Sequence, residues 1–280
     1  MRLFTKVSLV SLIVMVLLVS TSFALDSSRL LLYWSCNEGS GNMLTDSSGN
    51  GWDATIQEGA HEWVNGKYGS AIRLQNAYGM VEGDIISSTG QTGEITIACW
   101  FNLAVHTTYN GLVSIASPEC DASCCYRIMV NPNKNPFWNA GHHTDQSLAD
   151  FTFSLDTWYH YVLVADGVTD KIYVDGALIG EVEENFPLPE FSEVTVYLGT
   201  GESPSAWRVE DSAIDDIMIW DKALTEDEVN AIMGGGITAV APSGKLATTW
   251  ADMKSELFLV YLIEKIGAYC DTSLFFHSYL

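Results

Sequence analysis

Basic charge is what this chain most lacks: 13 Lys and Arg stand against 35 Asp and Glu, a formal net charge of −22 at pH 7. Nucleic acid and anionic membranes carry the same sign, so repulsion excludes them as favourable partners. Cations are better suited, and an acidic surface by itself also keeps an exported protein in solution. A second absence is long apolar runs. Residues 7–19 form one near the start and residues 257–263 a shorter one near the end, and neither reaches the ~20 residues that a membrane-spanning helix needs. There is no internal repeat, no Gly-x-Ser-x-Gly elbow and no phosphate loop, which removes the commonest nucleophile and nucleotide motifs. Zinc-finger spacing is missing too, since no second CxxC pair and no suitably placed His accompany the cysteines.

What is there divides into three parts. Arg2 and Lys6, the apolar run Val7 to Val19, and Ser22-Phe23-Ala24 have the order of a secretory signal with a small-x-small cleavage site. The expectation is therefore a leader over 1–24 and a secreted, cell-surface or periplasmic location. Residues 25–236 suit one all-β domain with a substantial core. Ala241-Pro242-Ser243-Gly244 then reads as a linker, and 237–280 as a tail of unassigned role. Six cysteines survive removal of the leader, an even number in a compartment where disulfides persist. Cys36 and Cys99 lie in apolar strand contexts as small buried hydrophobes. Cys124 and Cys125 would point oppositely on a strand, so one short bridge is expected, from Cys120 to either Cys124 or Cys125.

The dominant signal is a period of two. In Trp158 to Ala165 successive residues alternate between faces, and Ile172 and Val174 resume the pattern after the polar turn Asp166 to Asp170. Asp175-Gly176 suits the positive φ angles of a type I′ hairpin. Glu94 to Leu103 places Ile95, Ile97, Cys99 and Phe101 on one face. Leu31 to Cys36, Ala54 to Ile56, Ala71 to Leu74, Tyr78 to Val81, Leu112 to Ala116, Tyr126 to Val130, Pro136 to Ala140, Val194 to Leu198 and Ile214 to Trp220 are further strands. One helix is marked. Thr225 and Glu228 make a capping box, Leu224 can staple onto Val229, and Gly234 to Gly236 end it.

Four blocks in order carry a family resemblance: YWSCNEGSGNMLTDSSGNGWDATI (Tyr33 to Ile56), WVNGKYGSAIRL (Trp63 to Leu74), WYHYVLVADGVTDKIYVDGALIG (Trp158 to Gly180) and AIDDIMIWDKALTEDEVNAIM (Ala213 to Met233). The chain resembles the LamG-like, concanavalin A-like lectin domains across roughly Leu30 to Met233. That resemblance implies a two-sheet antiparallel jelly-roll sandwich, and a carbohydrate- or protein-recognition module that is frequently calcium-dependent. Laminarinase-like enzymes of the same fold carry Glu-x-Asp-x-x-Glu on one strand, which sets nucleophile and acid roughly 5 Å apart. This chain lacks that pattern. Glu183-Glu184 would point oppositely, and Glu210, Asp211, Asp215 and Asp216 have other spacings. No catalytic residue is assigned, and binding of a glycan or an extracellular protein is the expectation. A glycan-processing enzyme with an unrecognised site and a purely architectural envelope domain are the alternatives.

Phe137-Trp138, followed by Asn139, His142, His143 and Asp145, puts aromatic faces beside hydrogen-bonding groups, the mixture a sugar or an epitope needs. Trp207-Arg208 is a second candidate. For the cation, Asp215 shares parity with Ile217 and Ile219 and so would point inward, where an unpaired charge is costly. The resemblance implies a structural calcium shared between Asp215 and the loop Asp46-Ser47-Ser48-Gly49-Asn50-Gly51, with Asp46 and Asn50 as side-chain ligands. An EF-hand is excluded, because position 12 of that loop is Gln57. The alternative is that Asp46 organises a turn and Asp215 accepts backbone hydrogen bonds.

Overall fold

The computed structural model describes residues 25–85, 93–118, 126–141, 144–183 and 193–235. The chain divides into two units, Met1–Thr238 and Ala239–Leu280, and the second lies outside the described residues. In chain order the strands are β1 (Leu30–Trp34), β2 (Met43–Leu44), β3 (Ala54–Gln57), β4 (Ala60–Asn65), β5 (Ser70–Gln75), β6 (Tyr78–Gly83), β7 (Ile95–Val105) and β8 (Asn110–Ala116). They continue as β9 (Tyr126–Val130), β10 (Pro136–Ala140), β11 (Gln146–Ser147), β12 (Trp158–Ala165), β13 (Thr169–Val174), β14 (Ala177–Glu183), β15 (Val194–Leu198) and β16 (Asp211–Trp220). Helix α1 (Glu226–Met233) follows.

These strands form two antiparallel sheets of eight. The first runs β14-β13-β12-β7-β16-β5-β4, with β1 also on β16; the second runs β11-β10-β9-β8-β15-β6-β3-β2. This is the expected jelly-roll sandwich. Period-two alternation turns one face of each strand into the core: Ile95, Ile97, Cys99, Phe101 and Leu103 from β7 meet Ile128, Val130, Trp138, Val196 and Leu198 from the other sheet. Asp175 and Gly176 have φ of 49° and 79°, the two positive angles of a type I′ turn. Thr225 caps α1 with the full box, its Oγ1 accepting from Glu228 N while Thr225 N donates to Glu228 Oε2 at 3.0 Å. Besides the two-residue β2 and β11, β4 is a strand the sequence pattern did not mark. It lies at the sheet edge, none of its residues is buried, and so no apolar alternation is imposed on it.

One departure from regular alternation matters for function. On the side away from β7, β16 pairs first with β5 through Ser212 to Ile214 and then with β1 through Ile217 to Trp220. Between these partners a β-bulge intervenes: Asp215 lies opposite Trp100 and Met218 opposite Ala98, and Asp216 takes a φ of 46°. The extra residue inverts the parity. Asp215 therefore takes the face of Trp100, away from the core face of Ile214, Ile217 and Ile219, which corrects the inward placement expected from simple alternation.

Candidate functional site

An aromatic surface forms on the side of the second sheet that faces away from the core. Along β10 the side chains alternate, and Trp138 takes the core side: it is fully buried and its indole N–H donates to Asp170 Oδ2 at 3.0 Å. It offers no face to a ligand, so of the expected aromatic pair only the half-buried Phe137 takes the outer side. Phe137 lies opposite Met129 and Asn139 opposite Arg127. The Arg127 guanidinium donates to Glu202 Oε2 at 2.8 Å and to Asp145 Oδ1, and Asn139 Nδ2 donates to that same Asp145 oxygen at 3.1 Å.

Trp207 lies over this ion triad, its ring 4.8 Å from the Arg127 guanidinium carbon. Tyr109 stands between the two other rings, 5.7 Å from Trp207 and 5.1 Å from Phe137. Three backbone features put the tryptophan there. The connection from β15 to β16 folds back over β8, with Gly111 N donating to Trp207 O at 2.7 Å and Ser114 Oγ to Thr200 O at 3.1 Å. A Cβ at position 111 would lie 2.3 Å from the Thr200 carbonyl carbon, so only glycine admits this approach. Trp207 itself has φ 51°, a left-handed conformation that costs a residue with a side chain on the order of 1–3 kcal/mol. The fold holds that strain in place at a surface aromatic, the combination seen at binding sites.

Tyr109 escaped the sequence reading because it stands alone in a turn. His106 anchors that turn: its Nε2–H donates to Asn131 O at 2.6 Å, Asn110 Nδ2 donates to its Nδ1 at 2.7 Å, and Glu210 N donates to Asn110 Oδ1 at 2.9 Å. Burial pushes the imidazole pKa down, in keeping with the neutral tautomer these bonds need. Arg208 goes elsewhere, stacking over Tyr78 at 5.0 Å and donating to Glu58 Oε2 at 2.6 Å. An open cleft lined by Glu82, Glu193, Tyr197 and Glu202 adjoins the aromatic surface.

The residues expected to hold calcium divide differently. Asp46 Oδ1 accepts from Tyr33 N and Ser48 N at 3.0 and 2.9 Å, and Oδ2 from Ser48 Oγ and Trp52 N at 2.7 and 3.1 Å. Asn50 turns its Nδ2 to the Leu30 and Leu31 carbonyls, both at 2.9 Å. Four donors occupy Asp46, so these two residues build the turn and do not fit a shared ion. Asp215 is different. Its Oδ2 accepts from Lys67 N and Tyr68 N in the β4–β5 turn, at 2.8 and 3.2 Å, while Oδ1 is buried with no hydrogen-bond partner among the described residues. Glu38 Oε2 is likewise buried and unpartnered. Its segment touches the same turn, through Ser70 N donating to Asn37 Oδ1 at 3.0 Å and Ser70 Oγ to Cys36 O at 2.7 Å. Burial, and then the charges of Asp215 and Glu38, push the Cys36 thiol well up. Two donorless carboxylate oxygens around one turn suit a hard cation. Among the described residues no group of three or more His, Cys, Asp or Glu could hold a metal, so backbone oxygens or water would have to complete such a shell.

Cys36 and Cys99 are buried free thiols. Cys120, Cys124 and Cys125, with His142 and His143, lie outside the described residues. No helix among the described residues is long and apolar enough to cross a membrane.

The family model described as the concanavalin A-like lectin/glucanases superfamily matches residues 75–230. Among solved structures, domain 4 of an extracellular arabinanase from Geobacillus stearothermophilus, in complex with arabinotriose, aligns with a TM-score of 0.57 at 18% identity, covering 73% of this chain and 98% of that one. The binding domain of Paraclostridial Mosquitocidal Protein 1 aligns at 0.57 and 17% identity, covering 75% and 52%. That of botulinum neurotoxin DC, in complex with SialylT, aligns at 0.55 and 13%, covering 76% and 52%, so this chain spans about half the length of the toxin domains. Likeness at these identities concerns the fold. No curated protein matches the chain.

The electrostatics of Asp215 lead to a stability prediction. Burial first, and then the charge of Asp216, raise its pKa from 3.8 to about 7. The folded state then binds the proton more tightly than the unfolded chain, so stability falls as pH rises from about 4 to about 7. In protein stripped of metal, wild type should lose melting temperature across that window relative to Asp215→Asn. Equal pH slopes for the two proteins would contradict the assignment.

Proposed function

Because the chain belongs to the concanavalin A-like lectin/glucanases superfamily, we propose that it is an exported, lectin-like module that holds a carbohydrate against Tyr109, Phe137 and Trp207. The observation that carries this reading is Trp207, kept in a strained conformation with its ring over Arg127 and beside Tyr109. Aromatic faces take the C–H side of a sugar ring, and the carboxylates and amide next to them take its hydroxyls. The arabinanase domain of similar fold, solved with arabinotriose, supports a sugar ligand. Export rests on the leader expected from the sequence at 1–24. Against catalysis, Asp145 and Glu202 share one guanidinium, whereas a glycosidase sets two carboxyl groups across a scissile bond.

A glycan array and a hydrolysis screen on the same purified protein test the reading. Binding without cleavage is expected, and Trp207→Ala should weaken it by about 2 kcal/mol, roughly thirtyfold in Kd. Cleavage products with no tryptophan-dependent binding would sink the proposal in favour of an enzyme. Neither activity would favour an architectural domain.

We also propose a structural calcium held by Asp215 and Glu38. Bound there, the ion would supply the positive charge that their buried oxygens lack and tie the start of the domain to β16. Melting temperature should fall with chelator and recover with calcium, by mass action on the folded state, and Asp215→Ala should abolish the recovery. Metal-stripped wild type that melts unchanged when calcium is added has no such site.

A further inference from the structure

We infer that the Trp207 surface selects uncharged sugars and rejects carboxylated ones, an inference that rests on the binding reading above and adds the ligand class to it. The charges around the rings are sorted by depth. The Arg127 side chain is only 2% exposed, sealed beneath Trp207, while its partners Asp145 and Glu202 are 33% and 18% exposed. One cation faces inward and two carboxylates face out. Arg208, the other guanidinium beside the loop, is tied to Glu58. Glu210 adds a charge at the Tyr109 turn, where it accepts from Thr107, and Glu82 and Glu193 add two more along the adjoining cleft.

A sugar stacked on Trp207 and Tyr109 thus meets carboxylate acceptors at its edge. Hydroxyl groups can donate to them. A uronate or sialate carboxylate cannot, and it would approach like charges, while Arg208, the guanidinium that reaches solvent beside the loop, is already paired with Glu58. An uncharged polyhydroxyl chain fits both requirements, the apolar face for the rings and donors for the rim.

Binding of the full exported chain to immobilised arabinan, galactan and β-glucan, against polygalacturonate and alginate, tests this. In low salt at least one neutral polymer should bind, with the carboxylated polymers weaker by about tenfold or more, a Coulombic gap that should narrow near 1 M salt, where the screening length is about 3 Å. Asp145→Asn combined with Glu202→Gln removes the two carboxylates at the rim and should raise carboxylated over neutral binding. Asp227→Asn with Glu181→Gln removes the same charge from the helix and the other sheet and should leave the ratio unchanged. Should the first pair fail to fold, the salt dependence of wild type decides. Carboxylated polymers bound as tightly as neutral ones in low salt, or a ratio that the two variant pairs alter equally, overturn the selectivity while leaving a binding module. No binding to any polymer overturns the binding reading and the selectivity together.

Discussion

The domain depends on how β16 changes partners. A strand in the middle of a sheet has two edges to satisfy, and β16 gives one to β7 along most of its length and divides the other between β5 and β1. Where β5 ends and β1 begins, backbone donors of the β4–β5 turn would be left without ladder partners. Asp215 fills that gap from the bulge, taking Lys67 N and Tyr68 N on one oxygen. The tie joins residues nearly 150 positions apart and concentrates negative charge: Asp216 beside it holds the Tyr33 hydroxyl at 2.6 Å. Charge buried at a seam is costly without compensation, which is why the same place is where a cation is proposed.

The opposite sheet solves a different problem. Its outer side mixes apolar and polar residues, Met129, Phe137 and Tyr197 beside Ser114 and Arg127, and the β15–β16 connection crosses it over β8, which needs Gly111 beneath it. The closeness of backbone to backbone brings Trp207 over a buried arginine whose two carboxylate partners reach solvent. Packing, strain and electrostatics converge on one surface, assembled from residues 109, 127, 137, 145, 202 and 207. None of the loops carrying them could form it alone.

Much of the fold was legible because it is written in local alternation. The period of two in Trp158 to Ala165, the Asp175-Gly176 turn and the Thr225 box each satisfy short-range rules that tertiary context did not override. The site was less legible, for identifiable reasons. The bulge at Asp215 adds one residue with no sequence signature, and every parity inference across it inverts. Phe137 and Trp138 had to take opposite sides of β10, but which side is inner depends on the register with Tyr126, Ile128 and Val130, a long-range fact. Asp46 and Asn50 read equally well as ligands or as turn builders, and the hydrogen bonds decide for the turn. Tyr109 had no motif around it, and Glu38 sat inside the Tyr33 to Ile56 block with no ligand spacing to single it out.

The central claim, that sugar meets this chain at Trp207, is tested most directly by following the indole N–H resonances of its nine tryptophans while a bound neutral oligosaccharide is titrated in. The account predicts that Trp207 shifts with saturating dependence while the fully buried Trp34, Trp138 and Trp220 do not. Saturating shifts at other tryptophans with Trp207 unmoved would contradict it.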